Sequence, residues 1–189
     1  MALENAIAAL LRHDPVGRIT FKVGPVAINR VAMEPVAEAI ANKDITIESG
    51  STGDRLGAAY SSFVSRVWKA GEKPIIGKIT VGGEAVIRSA VGKAGVFHEC
   101  VHALKDVQGP KGPMYKISMH HEEVVAYLAD AMYLRATSAS IAGDANVMAI
   151  YDAAFALVDG RKMLKGHAKT VTWAQCDGLL RAIKAHPAY

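Results

Sequence analysis

The spacing of apolar residues changes near residue 83. Before that point, short segments such as RITFKV (18–23) alternate polar and apolar residues, as half-buried strands do. After it, apolar residues recur every three or four positions over longer segments, which predicts helices. Strand signals first and helical signals later indicate an α+β fold, with an antiparallel or mixed sheet beside a helical half.

The pattern and the turn residues set the predicted bounds. Strands are expected at 18–23, 45–48, 58–68 (where a helix is the alternative) and 74–81. Helices are expected at 2–12, 35–42, 84–107, 122–137, 144–158 and 172–185. The last helix opens with a capping box signal, because Thr172 is followed three residues later by Gln175. We find no convincing linker and predict a single domain over residues 1–189.

Composition narrows the class of protein. Of the 189 residues, 51% are hydrophobic, which suffices for a full core. The net charge is only +4, and scattered Lys and Arg residues argue against a nucleic-acid partner. The N-terminal segment carries Glu4 where a signal peptide would be basic, and no apolar run could cross a bilayer, so we expect a cytoplasmic protein without a membrane partner. Export by a route that needs no cleavable signal is the alternative. Cys100 and Cys176 are expected to be buried free thiols.

Residues 96–109, VFHECVHALKDVQG, contain the pattern H-E-x-x-H. On a helix His98 and His102 lie on one face, one turn apart, so their ring nitrogens can point at one metal ion. Zinc binds neutral imidazole, and catalytic zinc sites use three protein ligands. Glu99 lies one position round the helix, where its carboxylate can act as general base towards a metal-activated water. The pattern therefore predicts zinc, with His98 and His102 as ligands and Glu99 as the catalytic residue.

A third ligand is predicted on the next helix, which the loop at 109–113 allows to fold back antiparallel. The text HECVHALKD followed by EEVVAYLAD resembles zincin metallopeptidases of the gluzincin kind, and also small bacterial zincin-like proteins, over residues 79–135. In those proteins a later helix carries a glutamate ligand. Alignment on E-x-x-A-Y implies Glu123 as that ligand, whereas the spacing in thermolysin-like members implies Glu122. We favour Glu123.

The resemblance also implies a fold and an activity. It implies a minimal zincin-like core and a zinc-dependent hydrolase that acts on peptide or protein substrates. It further implies that the strand at 75–81 holds an extended substrate by adding it to the sheet edge. The chain departs from the thermolysin-like pattern where an aspartate should follow the glutamate ligand by four positions, because Ala126 or Tyr127 stands there. We expect Asp130 or a backbone carbonyl to orient an imidazole instead.

Several other residues have both a functional and an ordinary interpretation. His120 and His121 could bind a metal or substrate, although such residues more often begin a helix in solvent. Tyr127, Tyr151 or His167 could donate a hydrogen bond to an oxyanion, although the tyrosines are equally expected as packed aromatic residues.

Two other functions are consistent with the sequence. One is a non-catalytic zincin-like domain that binds a metal or a protein partner, which the presence of Glu99 disfavours. The other is a helical interaction protein in which the two histidines meet by chance. Metal content and activity on peptides would separate these alternatives from a peptidase.

Overall fold

The computed structural model describes residues 2–52, 57–63, 74–160, 163–164 and 169–189. The helices are α1 Leu3–Arg12, α2 Arg30–Ala41, α3 Ala90–Gln108, α4 Met119–Ala136, α5 Ala145–Gly160 and α6 Asp177–Ala185. The strands are β1 Phe21–Val23, β2 Val26–Ile28, β3 Ile45–Ser49, β4 Ala58–Ser62, β5 Gly77–Val81 and β6 Lys169–Val171. Short 3₁₀ turns cover Val16–Arg18, Val86–Arg88, Pro113–Lys116 and Trp173–Cys176. The predicted α+β class is confirmed.

The strands form two small mixed sheets. In the first, β1 pairs antiparallel with β2 and parallel with β6. In the second, β5 lies between β3, which is parallel to it, and β4, which is antiparallel. Since both edges of β5 are paired, the expectation that the strand at 75–81 adds a substrate to the sheet edge is wrong. Among the described strands, β4 is at the edge of that sheet nearest α3.

Most predicted elements are present, with shifted ends. The strand predicted at 58–68 is confirmed over 58–62, and residues 64–68 lie outside the described part of the chain. The helix predicted at 35–42 begins earlier, at Arg30, because the Asn29 side chain accepts a hydrogen bond from the Ala32 amide and caps it. Pro35 is therefore inside α2. Because proline has no N–H, the carbonyl of Val31 lacks an intrahelical partner. Val31 is 82% exposed, so this carbonyl can bond to water.

The beginning of α3 is fixed by a cap and a close backbone contact. Ser89 accepts a hydrogen bond from the Gly92 amide at 2.9 Å, so the helix starts at Ala90 and not at the predicted residue 84. A Cβ atom at Gly92 would collide with the backbone carbonyl of Val86 in the preceding 3₁₀ turn. Glycine is therefore needed where this turn packs against the helix, and its cost in helix propensity is offset by that packing.

The two central helices form the interior of the protein. α3 packs against α4, α2 and β4, and α4 also contacts α5 and α6. Most residues of α3 and α4 are buried, including the polar side chains His98, Glu99, Glu122, Glu123 and Asp130. Buried polar groups are costly unless they are paired with each other or with a ligand. The α3–α4 interface is therefore where a functional site is to be sought.

Candidate metal centre

α3 and α4 bring three metal-binding side chains together. His98 and His102 lie one turn apart on the face of α3 that meets α4, and their Nε2 atoms are 3.1 Å apart. Glu123 of α4 places one carboxylate oxygen 3.4 Å from Nε2 of His98 and the other 3.5 Å from Nε2 of His102. Ligands about 2.0–2.1 Å from a tetrahedral zinc are separated by about 3.3–3.4 Å. These three residues therefore form a group that could hold a metal ion.

The other ring nitrogen of each histidine faces a carboxylate. Nδ1 of His98 is 3.2 Å from Oδ2 of Asp130, and Nδ1 of His102 is 2.8 Å from Oε1 of Glu122. An ionised carboxylate only accepts hydrogen bonds, so each Nδ1 carries the proton and each neutral ring presents a lone pair at Nε2. Two lone pairs that face each other at 3.1 Å repel unless a proton or a metal ion lies between them. The arrangement around the rings thus fits a metal ion.

The charges around the histidines favour a cation as well. Burial lowers the pKa of His98, but the neighbouring carboxylates of Asp130 and Glu123 outweigh it and hold this pKa well above its ordinary value. Burial lowers the pKa of His102 too, and Glu122 and Glu123 raise it to about 9. Burial raises the pKa of Glu123, yet the two histidines bring it well below the usual range. A cluster that stabilises positive charge so strongly will bind either a proton or a metal ion.

One carboxylate oxygen of Glu123 favours a metal ion over a proton. Oε2 of Glu123 is buried and makes no hydrogen bond to the described residues. A buried carboxylate oxygen without a partner costs about 1–3 kcal/mol or more. A metal ion coordinated together with the histidine Nε2 atoms would remove this cost, because it would provide the missing partner.

We call His98, His102 and Glu123 the donor cluster. Glu99 is buried between the donor cluster and the edge strand β4. Its Oε2 accepts a hydrogen bond of 2.7 Å from the backbone amide of Tyr60, in the middle of β4. This contact fixes the carboxylate and shows that the outer edge of β4 faces α3. Glu99 is not among the three donors that converge, which is consistent with the separate role predicted for it.

Two cavities open on opposite sides of the donor cluster, and Glu99 and Glu123 border both. The cavity on the side of His102 has a volume of about 540 Å³. Its lining includes Tyr60, Ser62, Lys105, Asp106 and Glu122. The cavity on the side of His98 has a volume of about 470 Å³ and is rich in tyrosine. Its lining includes Tyr127, Tyr151, Tyr189, Asp130 and Asp144.

The structure separates the two candidate glutamates. Glu123 lies with the Nε2 atoms, whereas Glu122 bonds Nδ1 of His102 and pairs with Lys105 at 2.7 Å. The geometry therefore matches the preference for Glu123, and Glu122 takes a position that was not foreseen. Asp130 lies beside His98 as expected, and it also accepts a hydrogen bond of 2.6 Å from the Tyr151 hydroxyl.

The remaining candidates lie in different places. The His121 ring bonds Ser118 and packs at a tilt against Trp173, away from the donor cluster, and His120 lies outside both cavity linings. Cys100 is a buried free thiol whose pKa is raised by burial, so it is a poor nucleophile. His167 lies outside the described residues.

Tyr60 and Tyr189 belong to the site although no sequence pattern indicated them. Tyr127 packs edge-on against the His98 ring, with centroids 4.8 Å apart, and its hydroxyl lies 3.1 Å from that of Tyr189. Tyr189, like Tyr60 of β4, is remote in sequence from the H-E-x-x-H motif. No local pattern marks either residue, because only the packing of α6 and of β4 around α3 and α4 brings them to the site.

Comparison with protein-family models, curated proteins and solved structures found no match for this chain. None of the helices that the structure describes has the length and apolar content needed to span a bilayer.

Proposed function

We propose that this protein is a zinc-dependent metallopeptidase whose site resembles that of the gluzincin-type zincins. The observation that carries the proposal is the convergence of two imidazole Nε2 atoms and the Glu123 carboxylate within 3.1–3.5 Å, with Glu99 next to His98 on the same helix. Chance histidines on a helix surface would not be buried with carboxylates at both nitrogens of each ring. This argues against a helical interaction protein without a metal.

In this proposal His98, His102 and Glu123 hold the zinc ion. Bound zinc would polarise a substrate carbonyl and lower the pKa of a neighbouring water towards about 7. Asp130 and Glu122 keep the protons on the two Nδ1 atoms, so both Nε2 lone pairs remain available for the metal. The same two carboxylates increase the basicity of the rings.

Glu99 moves the proton in this proposal. Its Oε2 is held by the Tyr60 amide, which leaves Oε1 as the atom that takes a proton from water and later delivers it to the leaving amine. The hydrogen bond also fixes the direction of the carboxylate, so no rearrangement is needed before the transfer. A general base of this kind contributes about 10²–10⁴-fold to a rate.

The outer edge of β4 is the proposed place for the peptide backbone of the substrate. β4 passes between the two cavities, because Ala58 borders the cavity on the His98 side and Ser62 borders the cavity on the His102 side. The Tyr60 amide on that edge is already bonded to Glu99, so an extended peptide would pair with the backbone groups of β4 on either side of it and lie across the donor cluster, with side chains entering both cavities.

The test is the substitution Glu99→Gln, with Glu38→Gln on an exposed part of α2 as the matched control. Glutamine can still accept the Tyr60 amide, so zinc content and thermal stability should remain at the wild-type level. Turnover of a peptide library should fall at least about 100-fold in Glu99→Gln and not in Glu38→Gln.

Two results would contradict the proposal. Equal turnover by Glu99→Gln and wild type would remove the proposed base. A wild-type protein that binds one equivalent of zinc and cleaves no peptide in the library would favour the non-catalytic metal-binding domain.

A further inference from the structure

The cavity on the side of His98 is strongly acidic. Four carboxylates border it, from Glu99, Glu123, Asp130 and Asp144, and its described lining contains no Lys or Arg. Besides His98, the only titratable nitrogens in the described lining are those of His186, whose Nδ1 accepts a hydrogen bond from the Ala188 amide. Even with a divalent ion on the donor cluster, the carboxylate charges of this cavity outnumber the positive charges.

One of these carboxylates lacks a partner. Asp130 is 1% exposed and lies in the lining of the cavity. Its Oδ2 is occupied by His98 and Tyr151, but Oδ1 makes no hydrogen bond to the described residues. A buried carboxylate with a free oxygen produces a strong negative potential that a nearby cation would relieve.

The uncharged part of the lining also suits a cation. Tyr151 and Tyr189 both stand nearly perpendicular to the ring of Tyr127, with centroids 5.5 and 6.5 Å from it. Aromatic rings grouped in this way attract ammonium and guanidinium groups through their faces and bind the alkyl part of a long side chain by apolar contact.

The cavity on the side of His102 differs in the partners of its charged groups. It contains Lys105, which pairs with Glu122, and its Asp106 accepts a hydrogen bond of 2.8 Å from the Tyr60 hydroxyl. Four carboxylates border this cavity too, from Glu99, Asp106, Glu122 and Glu123, but Lys105 offsets one of them. A preference for a cation should therefore be stronger in the cavity on the side of His98.

We propose that the cavity on the side of His98 is a subsite for a basic side chain, lysine or arginine, of the substrate. The class of ligand rests on the proposed peptidase function, whereas the preference for a cation does not. β4 runs from this cavity at Ala58 towards the other one at Ser62. A peptide antiparallel to β4 would therefore place its basic residue on the C-terminal side of the cleaved bond.

The first measurement is binding of N-acetyl-lysinamide and of N-acetyl-norleucinamide, followed by NMR in zinc-loaded and zinc-free protein. The two ligands differ in the ammonium group and have side chains of similar size. We expect the lysine ligand to bind about fivefold tighter or more, and this preference to shrink in high salt. It should persist without zinc, because Asp144 and the tyrosine rings are not among the metal donors.

Asp144→Asn and Asp152→Asn form a matched pair of variants. Both remove one negative charge from the region of α5, but only Asp144 borders the cavity. In Asp144→Asn the side-chain oxygen can still accept hydrogen bonds from the Asn146 and Val147 amides, as Asp144 does. The cap of α5 should therefore be preserved. We expect Asp144→Asn to reduce the lysine preference about threefold and Asp152→Asn to leave it unchanged.

Substitutions of Tyr189 test the aromatic contribution. Tyr189→Phe keeps the ring and should keep the preference, whereas Tyr189→Ala should reduce it about threefold. Equal binding of the two ligands to wild-type protein would overturn the inference, as would equal effects of Asp144→Asn and Asp152→Asn. These results need no turnover, so they are distinguishable from failure of the peptidase proposal, which the zinc and cleavage assays report. If peptides are cleaved, cleavage that is indifferent to basic residues on either side of the bond would also overturn it.

Discussion

Replacement of Asp130 by asparagine should weaken zinc binding without disturbing the fold. Asp130 is fully buried, and its Oδ2 accepts hydrogen bonds from Nδ1 of His98 at 3.2 Å and from the Tyr151 hydroxyl at 2.6 Å. The amide oxygen of asparagine can accept both, so the side-chain positions are retained. What is lost is the negative charge that makes the His98 ring a stronger base.

The size of the effect follows from the position of the charge. Partners that hold the second nitrogen of a ligating histidine typically contribute 10–100-fold to metal affinity, which corresponds to about 1.4–2.7 kcal/mol. Asp130 should be near the upper end, because it forms no ion pair with a Lys or Arg of the described residues. Glu122 serves His102 in the same way but is already paired with Lys105, so Glu122→Gln should cost less.

The assay is competition for zinc with a chromophoric chelator at fixed pH, on wild type, Asp130→Asn, Glu122→Gln and the surface control Asp152→Asn. Circular dichroism and the melting temperature in excess chelator check that the fold is intact. Wild-type zinc affinity in Asp130→Asn would refute the reasoning, because Asp130 would then not support the ligand. A loss of the same size in Asp152→Asn would show a general effect of charge.

The remaining predictions concern the metal donors and the helix that carries them. Glu123→Gln should lower zinc affinity by more than about 100-fold, because it removes a donor and not merely a supporting charge. The same competition assay measures this loss, and wild-type affinity would exclude Glu123 as a ligand. The pKa of His102 is raised on folding to about 9, so its contribution to the stability of zinc-free protein is complete below its ordinary pKa of about 6.5 and is lost as the pH rises through 9. Zinc must displace this proton, so the rise in melting temperature caused by zinc should increase from pH 6.5 to 9; a rise that is constant over this range would contradict the assignment. Gly92→Ala should destabilise the protein by about 1–3 kcal/mol in urea unfolding, because the new Cβ collides with the Val86 carbonyl, and an unchanged midpoint would show that the turn can move.

The errors in the predicted fold have identifiable physical causes. β2 and β6 have three residues each, too few to show an alternating pattern, and they exist because β1 provides a partner for both. The start of α2 depended on the Asn29 cap, which is visible in the sequence but competes with Pro35 as a signal for the first turn. By contrast, the capping box of Thr172 and Gln175 is complete within four residues and is confirmed.

The sequence by itself determined the position of the two histidines relative to each other, because a spacing of four on a helix fixes both rings on one face whatever surrounds them. It also determined which chemical groups were present: imidazoles, a neighbouring carboxylate and a pair of glutamates on the next helix. Only the tertiary structure decided which of Glu122 and Glu123 lies beside the Nε2 atoms, since adjacent residues of α4 point about 100° apart and the packing angle against α3 selects one of them. The same packing brought β4, α5 and the segment after α6 to the donor cluster and so formed the two cavities. Contacts between residues far apart in the chain depend on the shapes of whole elements, and no local pattern of side chains encodes them.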